Sequence, residues 1–130
     1  MEQSELMNAL VQAKRMGNLL SEVLDLSRQM AEAVDRDDHV SLQMLVAMRQ
    51  EPISKLEQTD QTLQDQVDGM ADPEQAARLA ALLHGEAAGE ADEQALASQV
   101  ASNKRRLQQV IELDKALSRK TARDKSIYQP

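Results

Sequence analysis

The sequence predicts an all-α protein, an elongated antiparallel helical bundle of two long helices, one short helix and one long C-terminal helix. Hydrophobic residues make up 42% of the chain, yet it contains no Phe, no Trp and one Tyr. A core built from Leu, Val, Met and Ala favours helices over sheet. Apolar residues also recur at alternating steps of three and four, the spacing of one helix face. The first helix alone would be about 45 Å long, which predicts an elongated shape.

The first helix is predicted over Ser4 to Val34, a stretch with no Pro and a single Gly. Its apolar residues form two adjacent rows that together span about 200° of the helix circumference. A stripe this wide predicts contact with more than one neighbouring helix. The polar segment Asp35-Arg36-Asp37-Asp38 then ends the helix and offers N-capping side chains for the next one.

The second helix resumes at Val40 and continues to Met70, which predicts a tight antiparallel hairpin with the first. Pro52 falls in the middle of its apolar face. A proline inside a helix removes one hydrogen bond and clashes with the preceding turn, at a cost of about 3 kcal/mol unless the helix bends. We therefore expect a kink near Gln50 to Pro52.

A short third helix follows, with capping signals at both ends. Asp72 is its predicted N-cap, Pro73 takes the first helical position, and Gln75 is placed to complete a capping box. The helical pattern covers Ala76 to Leu83. Gly85 is the predicted stop.

The last part of the chain is predicted to hold an acidic loop and a long helix. The segment 85–90 is rich in Gly, Ala and Glu, and the final helix begins at Asp92. Asn103 falls within its apolar sector, where it either fixes the register of the bundle or lies at the edge near solvent. We expect one helical bundle domain over residues 1–120 and a flexible basic tail over residues 121–130.

Composition and charge exclude several classes of function. The net charge of −7 argues against nucleic acid as a partner, because affinity for phosphate backbones comes from Lys and Arg. The segment from Lys104 to Lys125 carries eight basic and three acidic residues, but stacking aromatic residues do not accompany them. No apolar run reaches the roughly 20 residues that a membrane span needs. We expect a cytoplasmic protein without membrane insertion.

The sequence offers no residue pattern that is typical of catalysis. It contains no Cys, and neither His39 nor His84 has a Glu or a second His at metal-ligand spacing. The acidic loop lacks the Gly-Lys-Ser/Thr ending of a phosphate-binding loop. We therefore expect no enzyme, no metal site and no cofactor.

Methionine is concentrated in the first two helices. Of the seven Met residues, the six beyond Met1 lie between Met7 and Met70. They either fill gaps in a core without aromatic rings or form an adaptable binding surface. The segment from Val40 to Met48 favours a binding surface, because its apolar residues cover more of the helix than one neighbour can bury. That surface predicts a second subunit or a docking helix.

The candidate partner-binding residues follow from that surface. Met44, Met48 and Ile53 lie on the flanks of the second helix, and Leu42 belongs to the same apolar segment. A further candidate site lies on the last helix, near Ile111 and Tyr128.

A family resemblance is carried by the second helix and by the end of the chain. The second helix contains the run Asp38-x-x-x-Leu42-x-x-Leu45-x-x-x-Arg49-x-x-x-Ile53-x-x-Leu56. This run, placed after a long amphipathic helix and a short acidic turn, resembles flagellar type III export chaperones of the FliT and FlgN kind. The close of the last helix, Lys120-Thr121-Ala122-Arg123-Asp124-Lys125-Ser126-Ile127-Tyr128, resembles the basic, Tyr-terminated end of FliT-like chains.

The resemblance implies a function in protein export. The partner would be an amphipathic helix of an exported axial subunit, the filament cap protein or a hook-filament junction protein, which the chaperone keeps from premature assembly. Components of the export apparatus would be further partners. The alternative is a structural homodimer, a coiled-coil adaptor whose Met-rich surface is its own subunit interface.

Overall fold

The computed structural model describes the backbone of residues 1–128 and the side chains of residues 1–121. The described part of the chain forms an all-α bundle of four helices without a strand, which confirms the predicted fold class. The helices are α1 (Gln3–Asp35), α2 (His39–Asp68), α3 (Pro73–Leu83) and α4 (Gln94–Tyr128), with a single 3-10 turn (Ala91–Glu93) before α4. None of these helices is both long and apolar enough to cross a membrane.

Helix boundaries agree with the capping side chains. The side chain of Asp38 accepts a hydrogen bond from the Ser41 backbone N–H at 3.0 Å and begins α2. The Ser41 hydroxyl donates a second hydrogen bond to this carboxylate and is the main cause that lowers the pKa of Asp38, and the backbone N–H of Ser41 lowers it further. Asp72 caps α3, accepting from the Glu74 backbone N–H at 2.9 Å. The sequence predicts a capping box between Asp72 and Gln75, the third helical residue. The Asp72 side chain instead binds the backbone N–H of Glu74, the second helical residue.

α2 runs through Pro52 as one helix. Pro52 is fully buried, on the same face as Leu45 and Leu63. The helix is therefore continuous through Gln50 to Pro52, where the kink stays a prediction, and the proline ring adds to the core.

α2 packs antiparallel to α1, as predicted for the hairpin. Near one end of the bundle, the Gln66 side chain donates to the backbone carbonyl of Glu5 at 2.8 Å. Towards the other end, the Arg49 guanidinium donates to the hydroxyl of Ser27 at 2.9 Å. Residue numbers thus fall along α2 as they rise along α1.

α4 packs against α1 in the parallel direction. The Asn103 side chain donates to the carbonyl of Ala13 at 2.8 Å, and Lys120 pairs with Asp35. Asn103 is buried, so of the two predicted places for this residue the structure shows the inner one, where its hydrogen bond ties α4 to one level of α1. α4 continues to Tyr128 and includes most of the segment 121–130, whose flexibility remains a prediction.

The core extends along the whole length of α1. At the α3 end, Leu79 and Leu82 are fully buried against α1, α2 and α4. Further along, buried side chains of α1 pack against α2 on one side and α4 on the other. The broad apolar stripe of α1 therefore has the several neighbours that its width predicts.

Candidate functional site

A groove lies between α2 and α4, with α1 as its floor. α2 and α4 each pack along α1, and α3 contacts both of them at one end of the bundle. α3 thus takes the position of a fourth helix, but it has 11 residues where α1 has 33. Beyond the end of α3, the space between the two long helices is open. We call this space the α2–α4 groove.

The part of the groove next to α3 is an apolar pocket of about 220 Å³. It begins at Leu83 and His84, the C-terminal end of α3. Met16 and Leu20 of α1 line its floor, and Leu107 of α4 lines a wall. The pocket therefore continues the path of α3 along the bundle.

The far part of the groove is a second pocket, of about 300 Å³. Met30 and Val34 of α1 line it, together with Leu42 and Val46 of α2 and Leu117 of α4. Its walls are the same two helices as in the first pocket, so both pockets belong to one groove.

Arg49 and Asp114, which both line the far pocket, join the two walls at the end of that pocket nearer to α3. Nη1 of Arg49 lies 2.7 Å from Oδ1 of Asp114. Because α2 and α4 are antiparallel, one turn forward from Arg49 on α2 and one turn back from Asp114 on α4 reach the same level. Ile53 therefore lies opposite Ile111. Ile53 packs against the core between the pockets, and Ile111 is 38% exposed.

The groove accounts for three of the exposed large apolar side chains. Val46 is 48% exposed and Leu107 is 47% exposed, and helical spacing places Ile111 one turn after Leu107 on the same side of α4. Isolated exposed apolar side chains are common, but an aligned row beside two apolar pockets is typical of a binding surface.

The structure divides the residues that the sequence predicts for partner binding. Leu42 and Ile53 are half-buried on the α2 wall, and Ile111 lies on the α4 wall. Met44 and Met48 are exposed, at 61% and 54%, but they lie on the opposite flank of α2. These three groove residues are therefore brought together, and the two methionines are not.

Tyr128 lies in α4, and its side chain is outside the described residues. Val46 falls within the predicted surface from Val40 to Met48, whereas no sequence pattern marks Leu107 or the Arg49–Asp114 pair as site residues. Periodicity places Leu107 on an apolar face, but only the packing of α2 and α4 leaves the edge of that face uncovered.

The two methionines belong to a second exposed surface, the methionine flank, formed by Val40, Met44 and Met48. Val40 is 72% exposed, and helical spacing places all three residues on one side of α2. This flank is separate from the α2–α4 groove.

An ion pair between a half-buried arginine and a buried glutamate holds the loop between α3 and α4. Arg78 donates two hydrogen bonds to Glu93, at 3.0 and 2.8 Å. The Glu93 carboxylate also accepts from the backbone N–H of Gly89 at 2.9 Å and of Glu90 at 3.3 Å. The Arg78 hydrogen bonds are the main cause that lowers the pKa of Glu93, to about 2. These hydrogen bonds hold the acidic loop that the sequence predicts over residues 85–90.

Within the part of the chain that the structure describes, no group of three or more His, Asp or Glu side chains is arranged to hold a metal ion. His39 is exposed, with Nε2 3.8 Å from the Asp37 carboxylate. His84 lies at the end of α3. Both positions agree with the predicted helix boundaries.

Fold and groove together define an all-α bundle in which the position of a fourth helix is only partly filled. No protein-family model matches the chain, and neither does a curated protein or a solved structure.

Proposed function

We propose that this protein is a cytoplasmic flagellar type III export chaperone that binds an amphipathic helix of an exported axial subunit in the α2–α4 groove. The observation that carries the proposal is the incomplete fourth position of the bundle. α3 shows what fits there, because its buried leucines Leu79 and Leu82 pack between α2 and α4. The flagellar assignment rests on the sequence resemblance of α2 and of the end of α4.

The length of the groove sets the length of the partner. α3 ends at the level of Lys104, which contacts the His84 carbonyl, and the far pocket reaches Thr121. These positions on α4 are 17 residues apart, which corresponds to about 26 Å. A partner helix of four to five turns would fill this distance.

Binding would be driven by burial of apolar surface, at about 25 cal/mol per Å². The partner would present apolar residues at i, i+3, i+4 and i+7 to the groove and keep its polar face in solvent. In this complex the chaperone would cover the apolar face that the exported subunit uses in assembly. The mechanism requires neither ATP nor a metal ion, and the cargo is the filament cap protein or a hook-filament junction protein.

The test is affinity capture from the native cytoplasm with identification by mass spectrometry. The wild-type protein is compared with Ile111→Lys in the groove and with the matched control Val11→Lys. Val11 is 56% exposed on α1, outside the groove. We expect wild type and the control to retain a flagellar axial subunit or an export component, and Ile111→Lys to lose it. Recovery of neither kind of protein, or equal recovery by all three baits, would contradict the proposal.

The methionine flank favours a second candidate function, a structural homodimeric adaptor. Val40, Met44 and Met48 form an exposed apolar row that a second copy could cover around a two-fold axis. Light scattering distinguishes this case. A stable dimer that Met44→Lys/Met48→Lys converts to a monomer, combined with no loss of partners in Ile111→Lys, supports the adaptor.

A further inference from the structure

One guanidinium connects the floor and both walls of the α2–α4 groove. Arg49 extends from α2, and its Nη1 donates to Ser27 Oγ of α1 and to Asp114 Oδ1 of α4. Ser27 is fully buried, and its own hydroxyl donates to the carbonyl of Val23 at 2.7 Å. The three side chains are therefore held in place before any partner arrives. We call Arg49 and Asp114 the Arg49–Asp114 bridge.

The bridge retains hydrogen-bonding capacity towards the groove. An arginine has five N–H donors, and a carboxylate has two oxygens with several acceptor positions. The Asp114 side chain is 45% exposed and the Arg49 side chain is 16% exposed. Among the described residues, no fully enclosed side-chain polar atom lacks a hydrogen-bond partner. The hydrogen-bonding groups of Arg49 and Asp114 that remain unpaired are therefore in contact with solvent. A helix lying in the groove would displace this water.

An apolar side chain of the partner at this level would displace water from Arg49 and Asp114 without replacing its hydrogen bonds. Leaving these polar groups unpaired would cost free energy. A carboxylate would be attracted by Arg49 but repelled by Asp114, and an ammonium group would meet the reverse, so the opposing interactions do not offset the loss of the added charge's hydration. An amide avoids both problems, because its oxygen accepts from Arg49 while its NH₂ donates to Asp114. It also adds no charge to a pair that is already neutral.

Resting on the proposed function, we propose that the helix bound in the α2–α4 groove carries an Asn or Gln within its apolar stripe, which pairs with the Arg49–Asp114 bridge. Asp114 lies 10 residues after Lys104 and seven before Thr121. The amide is therefore flanked by apolar residues on both sides, which occupy the two pockets. A single polar residue in an apolar seam fixes register, so this contact sets where the partner helix stops along the groove.

The test is selection from a display library of 18-residue amphipathic helices in which one central position of the apolar stripe is randomised. Selection is carried out against the wild-type protein and against Arg49→Met/Asp114→Leu, which removes both charges together and leaves neither unpaired. Clones are kept when they fail to bind Ile111→Lys, so that only ligands of the groove are counted. Circular dichroism establishes that each variant is folded.

We expect wild type to enrich Asn and Gln at the randomised position, and the double variant to enrich Leu and Met. With synthetic peptides, fluorescence anisotropy should show the Asn peptide binding wild type about tenfold more tightly than the Leu peptide. This wild-type comparison decides the inference even if the double variant does not fold.

The outcomes separate the inference from the function on which it rests. Enrichment of Leu, Asp or Lys by wild type among Ile111-dependent clones would overturn the role of the bridge and leave the groove as a helix-binding site. A library that yields no Ile111-dependent clone would contradict both.

Discussion

Replacing Leu79 with Ala tests whether α3 is fixed in the fourth position of the bundle. Leu79 is fully buried and packs against α1, α2 and α4. Truncating such a leucine removes transfer free energy and leaves a cavity, with a typical cost of 2 to 5 kcal/mol. Because three helices surround this position and limit its collapse, we expect a loss of about 3 kcal/mol in the free energy of unfolding. For a domain of this size that corresponds to a melting temperature lower by about 10 °C.

The matched control is Leu107→Ala, the same change at a leucine that is 47% exposed in the α2–α4 groove. We expect it to cost less than about 1 kcal/mol, since nearly half of the residue already meets water and its truncation leaves no enclosed cavity. Urea unfolding followed by circular dichroism at 222 nm measures both variants. If Leu79→Ala costs no more than the control, α3 is not docked as described, and it is no guide to what binds in the groove.

Three further predictions concern other parts of the molecule. Met44→Gln/Met48→Gln should leave the melting temperature and the binding of groove peptides nearly unchanged; strong loss of stability would place these residues in the core. Leu24→Ala, on the buried face of α1, should cost about 2 to 5 kcal/mol in urea unfolding, and a smaller effect would contradict the packing around α1. The pKa of Glu93 is lowered from 4.5 to about 2, so its stabilising contribution is complete above pH 4.5 and is lost as the pH falls through 2. Acid unfolding should show this loss in wild type, and Glu93→Gln should show a smaller loss over the same range; equal pH profiles would contradict the role of the ion pair.

The helices follow from local information in the sequence, and their boundaries therefore agree well with the prediction. Asp38 and Asp72 act as N-caps because a short polar side chain can bind the free backbone N–H groups of the turn that follows it. Pro52 shows the limit of local rules. The bend expected from the backbone cost stays a prediction, whereas the burial of the ring depends on packing against the neighbouring helix, which no local rule gives.

The groove depends on how α2 and α4 pack against α1, and this packing cannot be predicted from the periodicity of a single sequence. Ile111 was predicted as a partner residue from α4 alone, and its position opposite Ile53 follows only from the register that Arg49 and Asp114 reveal. Met44 shows the opposite case. Its exposure was predicted, but the sequence could not distinguish the flank of α2 that borders α4 from the flank that faces away.

The most direct test of the central claim is photocrosslinking in the native cell. A photoreactive amino acid is placed at Ile111 in the α2–α4 groove and, as the control, at Met44 on the methionine flank, and the products are identified by mass spectrometry. The account predicts a product from position 111, joined to an amphipathic helix of an exported flagellar subunit, and no such product from position 44. Crosslinks to that subunit from position 44 alone, or crosslinks from position 111 only to a second copy of this chain, would contradict it.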